Sequence, residues 1–359
     1  GFKSLNTANL PASTILKGSD YFDIKLYQGN GGTQSISGLG FSAGQQTGLL
    51  WLKGRVGTLN HVLTDAIRGV NLKLASNTTG AEAGTDNGTV TALTSDGFTV
   101  AQGTGTYAGY ETNLATYTYV AWCWATPTSN ATNTQGSITS QVRANASAGF
   151  SIATFTSPTG TGNFSVGHGL GVTPEMVIVK SRDAVGVWYV YHKSLATDYY
   201  LRLNGTDASA TNGVQWGAGM TSSVLGFRAG YSTVGGATTV AYAFAPVSGY
   251  SSFGSYTGNG STDGPFVYCG FRPRWVMYKR TDTSGTDWVI LDSQRDTYNV
   301  TRNYLVPNTS GAETTDPPFY DFTSNGFKVR RDTSGTNASG GTYIYMALAE
   351  NPFSIARAR

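Results

Sequence analysis

One phrase is written three times along this chain, and it constrains the fold more than any other feature. The copies are LYQGNGGTQSISGLGF with LLWLKGR (residues 26–41 and 49–55), TFTSPTGTGNFSVGHGLGVTPEMVIVKSR (154–182) and SYTGNGSTDGPFVYCGFRPRWVMYKR (255–280). In each, an aromatic residue leads into a Gly-rich turn, and an apolar strand then closes on a basic pair. The closing pairs are Lys53/Arg55, Lys180/Arg182 and Lys279/Arg280, with the lysines 127 and 99 residues apart. HVLTD, WYVYH and WVILD follow, setting Asp65, His192 and Asp292 127 and 100 residues apart. DGFTV, LGFRA and NGFKV come next, and each copy ends in an alternating strand: TYVAWCWA, TVAYAFAP or TYIYMALAENPF. Four landmarks in one order at near-constant spacing make an internal triplication.

Composition says what is triplicated. Gly supplies 47 of 359 residues, charged residues only 13% and aromatics 12%, including 21 Tyr and 7 Trp. Disordered chains lack aromatics and carry more charge. Many short strands joined by Gly-rich turns fit instead. Helical apolar spacing is nearly absent. The expectation is an all-β protein of three tandem β-sandwich domains, jelly-roll or lectin-like, each of about 100 residues. The boundaries read as an N-terminal tether at 1–20, a first unit at 21–127, a polar connector at 128–148 with one strand in GSITSQV, a second unit at 149–248 and a third at 249–359. The chain opens on Gly1 with no leader pattern, which predicts a piece of a longer gene product.

Charge and cysteine narrow the function classes. The net charge is +3, and the densest basic cluster is Lys328, Arg330 and Arg331. That is too little for a nucleic-acid face. No apolar run reaches the length of a membrane span. Cys123 and Cys269 sit in separate strand-like runs and read as free buried thiols. Ten Asn-x-Ser/Thr triplets, among them Asn77, Asn204 and Asn308, are unremarkable in a chain this rich in Asn, Ser and Thr.

Titratable groups converge nowhere. His61, His168 and His192 have no metal-ligand spacing, and His168 reads as a surface or turn residue. Neither a catalytic nor a metal site is expected, and no cofactor. Carboxylates that a depolymerase could use are Asp65, Asp292, Asp296, Glu313, Asp316 and Asp321. Asp65 with Arg68 and Asp292 with Arg295 recur in two copies, which favours a structural pair, since an active site is not repeated with its scaffold. The basic strand ends read as solvated, their stems over apolar neighbours. TDTSGTD (281–287) and RDTSGTN (331–337) read as ordinary Asx and Ser/Thr turns, with calcium loops the alternative, though neither carries the closing Glu of an EF-hand.

Recognition by aromatic side chains is the remaining chemistry. Tyr and Trp rings stack on apolar faces of a ligand while neighbouring polar groups bond its hydroxyls. Trp51, Trp188 and Trp288 lie in landmark strands and are assigned to the core. The candidates in irregular segments are Tyr107, Tyr110, Tyr199, Tyr200, Tyr231, Tyr298, Phe319 and Tyr320.

The landmark phrases, with NHVLTDAIRG, GSITSQVRANASAGFSI and FGSYTGNGSTDGPFVYCGFRPRWVMYKRTD, resemble those of repeat-containing virion structural and tail-fibre proteins of tailed bacteriophages, abundant in marine phages. The resemblance runs from Tyr21 to Phe353. It departs at FSAGQQTGLLWLKGR, where an extra Gly/Gln turn precedes the strand. It implies a non-enzymatic virion protein made in the host cytoplasm and carried on a tail fibre or capsid surface. On this view the chain is a receptor-binding module for a host surface glycan or protein. The implied partners are other virion proteins and copies of itself in a homotrimer, without nucleic acid or membrane insertion. A capsid or tail decoration protein and a polysaccharide depolymerase are the alternatives.

Overall fold

The computed structural model describes residues 15–105, 111–315 and 318–351. Strands and turns account for nearly all of them, so the chain is all-β. The first unit holds β1 (Phe22–Gln28), β2 (Thr33–Ile36), β3 (Gln45–Gly54), β4 (His61–Asp65), β5 (Leu74–Ala75), β6 (Thr89–Leu93), β7 (Phe98–Ala101) and β8 (Thr118–Pro127). The second holds β9 (Ala131–Asn133), β10 (Ser140–Asn145), β11 (Phe150–Thr156), β12 (Asn163–Gly167), β13 (Met176–Ser181), β14 (Tyr189–His192), β15 (Tyr199–Arg202), β16 (Ala210–Thr211), β17 (Val224–Arg228) and β18 (Thr238–Phe244). The third holds β19 (Ser251–Thr257), β20 (Phe266–Tyr268), β21 (Pro273–Arg280), β22 (Trp288–Asp292), β23 (Asn303–Tyr304), β24 (Thr314–Thr315), β25 (Tyr320–Thr323), β26 (Gly326–Val329) and β27 (Thr342–Ala349).

One pairing plan recurs. The main sheets run β1-β8-β3-β4, β11-β18-β13-β14 and β19-β27-β21-β22, with β1 beside β8, β11 beside β18 and β19 beside β27. Second sheets pair β2 with β7, β12 with β17 and β20 with β26. The segment 128–148 is more than a connector: β9 and β10 extend the second unit's main sheet beyond β11. The extra Gly/Gln turn of the first copy lengthens β3 and leaves one register shift between Thr47 and Leu49, and β21 shifts likewise between Pro273 and Trp275.

Alternation along the last strands explains the layering, because successive side chains of a strand point to opposite faces. Tyr119, Ala121 and Cys123 enter the core between the first unit's own two sheets. Ala241, Ala243 and Ala245 do the same in the second unit. The intervening Val120, Trp122 and Trp124 join Val240, Tyr242, Phe244, Ile344, Met346 and Leu348 in one common core. Trp124 makes the join visible, with ring centroids 6.1 Å from Phe244 and 5.8 Å from Trp275. Three main sheets thus turn their backs to a shared centre.

The units close into a ring rather than a row. Trp188 gives its indole N–H to the Ala75 carbonyl of the first unit at 2.9 Å, and Trp288 gives its own to Arg202 of the second at 2.9 Å. His61 holds the equivalent place in the first unit and faces the Val306 carbonyl of the third. Backbone bonds cycle the same way: Glu82 N–H to Arg182, Ser209 to Thr281, Glu313 to Arg55. Asn77, Asn204 and Asn308 each cap the residue that heads the β4-type strand, accepting the N–H of His61, Trp188 and Trp288. Those three triplets are therefore structural.

The Gly-Asn-Gly of the repeated phrase is a clasp. A Cβ on Gly29 or Gly258 would stand 2.2 Å from the carbonyl oxygen of Leu114 or Ala338. Asn30 and Asn113 exchange hydrogen bonds, as do Asn259 and Asn337. Gly31 and Gly260 take φ of 74° and 70°, in the region open to glycine. In the second unit the Ser157 and Thr233 hydroxyls bond there instead, at 2.7 Å.

The tether expected at 1–20 is not free where it is described: Ile15 is buried in the common core and residues 18–20 form a short 3-10 turn. No helix among the described residues is long and apolar enough to cross a membrane.

Candidate binding face

Charged groups that repeat with the scaffold are spent on the ring. Arg68 Nε bonds Asp65 at 2.5 Å and Arg295 Nε bonds Asp292 at 2.6 Å, both pairs fully buried. Glu82 then bridges Arg68 to Arg182 of the next unit, and Glu313 bridges Arg295 to Arg55. The same Oδ2 atoms also accept across the seam, Asp65 from Tyr242 and Asp292 from Trp122. His192, the counterpart in the second unit, places Nε2 3.1 Å from the Tyr345 carbonyl.

Two sequence expectations fail here. Lys53, Lys180 and Lys279 are not solvated but fully buried, because the neighbouring turn closes over each strand end. Each ammonium bonds the carbonyl of the next residue, Gly54, Ser181 or Arg280. Burial pushes all three down to about 8. His168 is likewise buried rather than on the surface, Nε2 at the Thr221 carbonyl and Nδ1 accepting from Leu170 N–H. Trp51, Trp188 and Trp288 are in the core as expected. Cys123 is buried and Cys269 half-buried, both free. Among the described residues no three His, Cys, Asp or Glu side chains are grouped to hold a metal ion.

The aromatic candidates separate sharply. Tyr107 and Tyr110 lie outside the described residues. Phe319 and Tyr320 are buried: Tyr320 stacks on Phe327 and bonds the Tyr256 hydroxyl, while Phe319 packs on Tyr304 beneath Arg331. Tyr200 is buried edge-on against Tyr189. Their segments pair as strands or lie against the core, which leaves these rings no face for a ligand. Tyr231 has the Arg228 guanidinium over it at 4.3 Å. Tyr199 is half-buried in β15. Tyr298 alone stands open, 82% exposed.

Two rings that sequence reasoning passed over join it. Phe266 and Tyr268 are 47% and 62% exposed on β20, the edge strand of the sheet β20-β26-β25, with Val267 buried between them. With Tyr298 they are the exposed aromatic rings among the described residues, and all three border this one sheet. Asn299, next to Tyr298, exchanges hydrogen bonds with Phe322 of β25, along the sheet's other edge. The equivalent positions carry Ser35 and Ser37 in the first unit, Asn163 and Ser165 in the second. That contrast was readable: two positions polar in two copies are aromatic in the third.

Across this face, Phe266 stands opposite Lys328 and Lys328 opposite Asp321. Lys328 pairs with Asp263 at 2.8 Å and Arg330 with Asp321 at 2.5 Å. The hydrogen bond from Lys328 holds the Asp263 carboxyl below its ordinary range. Lys328 and Arg330 are thus matched by carboxylates, and the face offers ring surfaces beside both hydrogen-bond donors and acceptors.

A family model described as a domain of unknown function, DUF7483, matches residues 17–352. The chain belongs to this family. No curated protein and no solved structure matches it. The DUF7483 match runs through all three units, so the family's domain corresponds to the closed ring rather than to one sandwich. Among the described residues of that domain, the exposed aromatic rings belong to the third unit alone.

Proposed function

We propose that the chain is a non-enzymatic virion surface protein of a tailed bacteriophage, a tail-fibre or receptor-binding module that recognises a host surface glycan or protein through the third unit's outer face. The observation that carries this reading is that, among the described residues, the open rings Phe266, Tyr268 and Tyr298 all border one sheet, with Phe266 and Tyr268 at positions that are polar in the sister units. Open aromatic rings beside paired charges suit a wet, polar ligand surface. Other virion proteins are the assembly partners in this proposal. The ring already covers the inner sheet faces, so a homotrimer would form through outer surfaces. Adsorption of the purified chain to host cells tests it. The wild type is expected to adsorb and to compete with the virus, and Phe266→Ser with Tyr268→Ser to abolish both. Adsorption unchanged by the double substitution refutes the assigned face.

A second reading, a capsid or tail decoration protein, draws on the closed threefold body, which suits a plug or spacer. Antibody labelling of virions distinguishes it by the position of the chain on the particle.

A further inference from the structure

The three units can be compared at one position, and the first departs there in a way that opens a cavity. Lys73, Tyr200 and Tyr304 are equivalent, each preceding the leucine (Leu74, Leu201, Leu305) that pairs with the β4-type strand at Leu63, Val190 and Ile290. In the second unit the Tyr200 ring packs on Tyr189, centroids 5.1 Å apart; in the third, Tyr304 packs on Phe319 at 4.6 Å. The first unit has Val62 in place of Tyr189 and Lys73 in place of the tyrosine. No ring fills the space, and a cavity of about 250 Å³ remains.

Its wall is built rather than left over. Glu111, a buried residue, takes the Lys73 ammonium on one oxygen at 2.5 Å and the Asn60 amide on the other at 2.7 Å. Asn77 in turn donates to the Asn60 oxygen at 2.8 Å. An ammonium has three hydrogens. Two are used, on Glu111 and the Gly88 carbonyl, and the third remains for a guest. Asp86 adds a carboxylate at the rim, and Val62 and Leu74 give an apolar wall.

We propose that this cavity binds a single neutral sugar residue. Its volume falls below the ~300 Å³ at which pockets for drug-sized ligands begin, which suits one ring and no more. Donors and acceptors beside an apolar wall match the alternating hydroxyl and C–H surfaces of a hexose. One ammonium against two carboxylates leaves a net negative site, which disfavours acidic sugars. The site stands apart from the aromatic face and does not depend on it.

The test is titration of the full chain with free glucose, galactose, mannose and N-acetylglucosamine, with glucuronate and ethanolamine as charged comparators, followed by saturation-transfer NMR and calorimetry. At least one neutral sugar is expected to bind saturably in the millimolar range and to raise the melting temperature. Ala81→Trp, at an exposed position of the cavity rim, is expected to abolish binding. Asp86→Ala, also exposed, should weaken it about tenfold by removing a charged acceptor. Phe266→Ser with Tyr268→Ser should leave it unchanged. Both rim variants should melt as the wild type does. Absence of saturable binding by every neutral sugar, preference for ethanolamine or glucuronate, or binding indifferent to Ala81→Trp overturns the proposal. Loss of cell adsorption with retained sugar binding, or the reverse, tells the two sites apart.

Discussion

Glu313 of the third unit lies 2.7 Å from Arg55 of the first, and the same carboxylate holds Arg295 of its own unit at 3.0 Å. One side chain thereby ties the last unit to the first. A row of sandwiches would not need this contact; a ring does. Removing one partner of a buried pair leaves a charge without compensation, which costs about 3–5 kcal/mol. Glu313→Ala is expected to destabilise the whole chain by about that much in chemical denaturation. Lys193→Ala, at the more exposed pair with Glu175, should cost less than about 1 kcal/mol. Equal effects of the two would count against the seam.

Shared burial predicts shared unfolding. Val240, Tyr242 and Phe244 face the common core, so the second unit alone would expose them. Calorimetry of the full chain should show one transition with matching calorimetric and van't Hoff enthalpies. Three separable transitions would mean that the units are independent. Trp288→Phe keeps an aromatic ring but removes the indole donor from the Arg202 carbonyl, which retains the Gly205 N–H, and a loss of about 1 kcal/mol is expected.

Stability should rise, then fall, in alkali. Lys53, Lys180 and Lys279 are held at about 8, below their ordinary value of about 10.4. Between those limits the unfolded chain binds more protons than the native one, so stability grows with pH. Tyr27, Tyr242, Tyr256 and Tyr320 are raised by burial, and their contribution is lost above about 10 as the unfolded phenols ionise. The urea midpoint should climb from pH 8 to about pH 10 and then drop. Lys279→Met should flatten the climb.

Histidine acts in acid with the same sign as the lysines, since burial lowers it too and stability falls as pH falls. Burial lowers His192 to about 4, and His61 also lies well below its ordinary range. As pH falls from about 6.5 toward 4 the unfolded chain takes up protons that native His192 refuses. A loss of about 3 kcal/mol over that window is expected from His192. His192→Gln should remove its share, which a urea series at pH 6.5 and pH 4.5 would measure.

The clasp makes a steric prediction. Gly258→Ala would drive a methyl into the Ala338 carbonyl, whereas a Cβ on Gly84 meets nothing within 4 Å. Gly258→Ala is expected to cost several kcal/mol, at the upper end of single substitutions. Gly84→Ala should stay within about 1 kcal/mol of the wild type.

The repeat, the all-β class and the structural role of Asp65 with Arg68 could be read from spacing, because hydrophobic alternation and turn residues are local signals. The ring could not, because Ala75 meets Trp188 across 113 positions and nothing local marks a carbonyl as an acceptor. The same blindness hid the lysines: a basic residue at a strand end looks solvated until the turn that follows folds over it. Tyr320 looked like a loop residue for a related reason, since β25 is only four residues long. Phe266 and Tyr268 were legible, but only by setting the copies side by side and asking where they disagree.

Carrying three arms on one polypeptide has a consequence for how such a body can specialise. An assembly of identical subunits must repeat any surface change at every arm, whether or not each arm has use for it. Here a pair of aromatic residues was placed on one arm and a hollow opened in another, while the arms' shared geometry stayed intact. Symmetry is kept where load is borne and relinquished where contact with the outside is made.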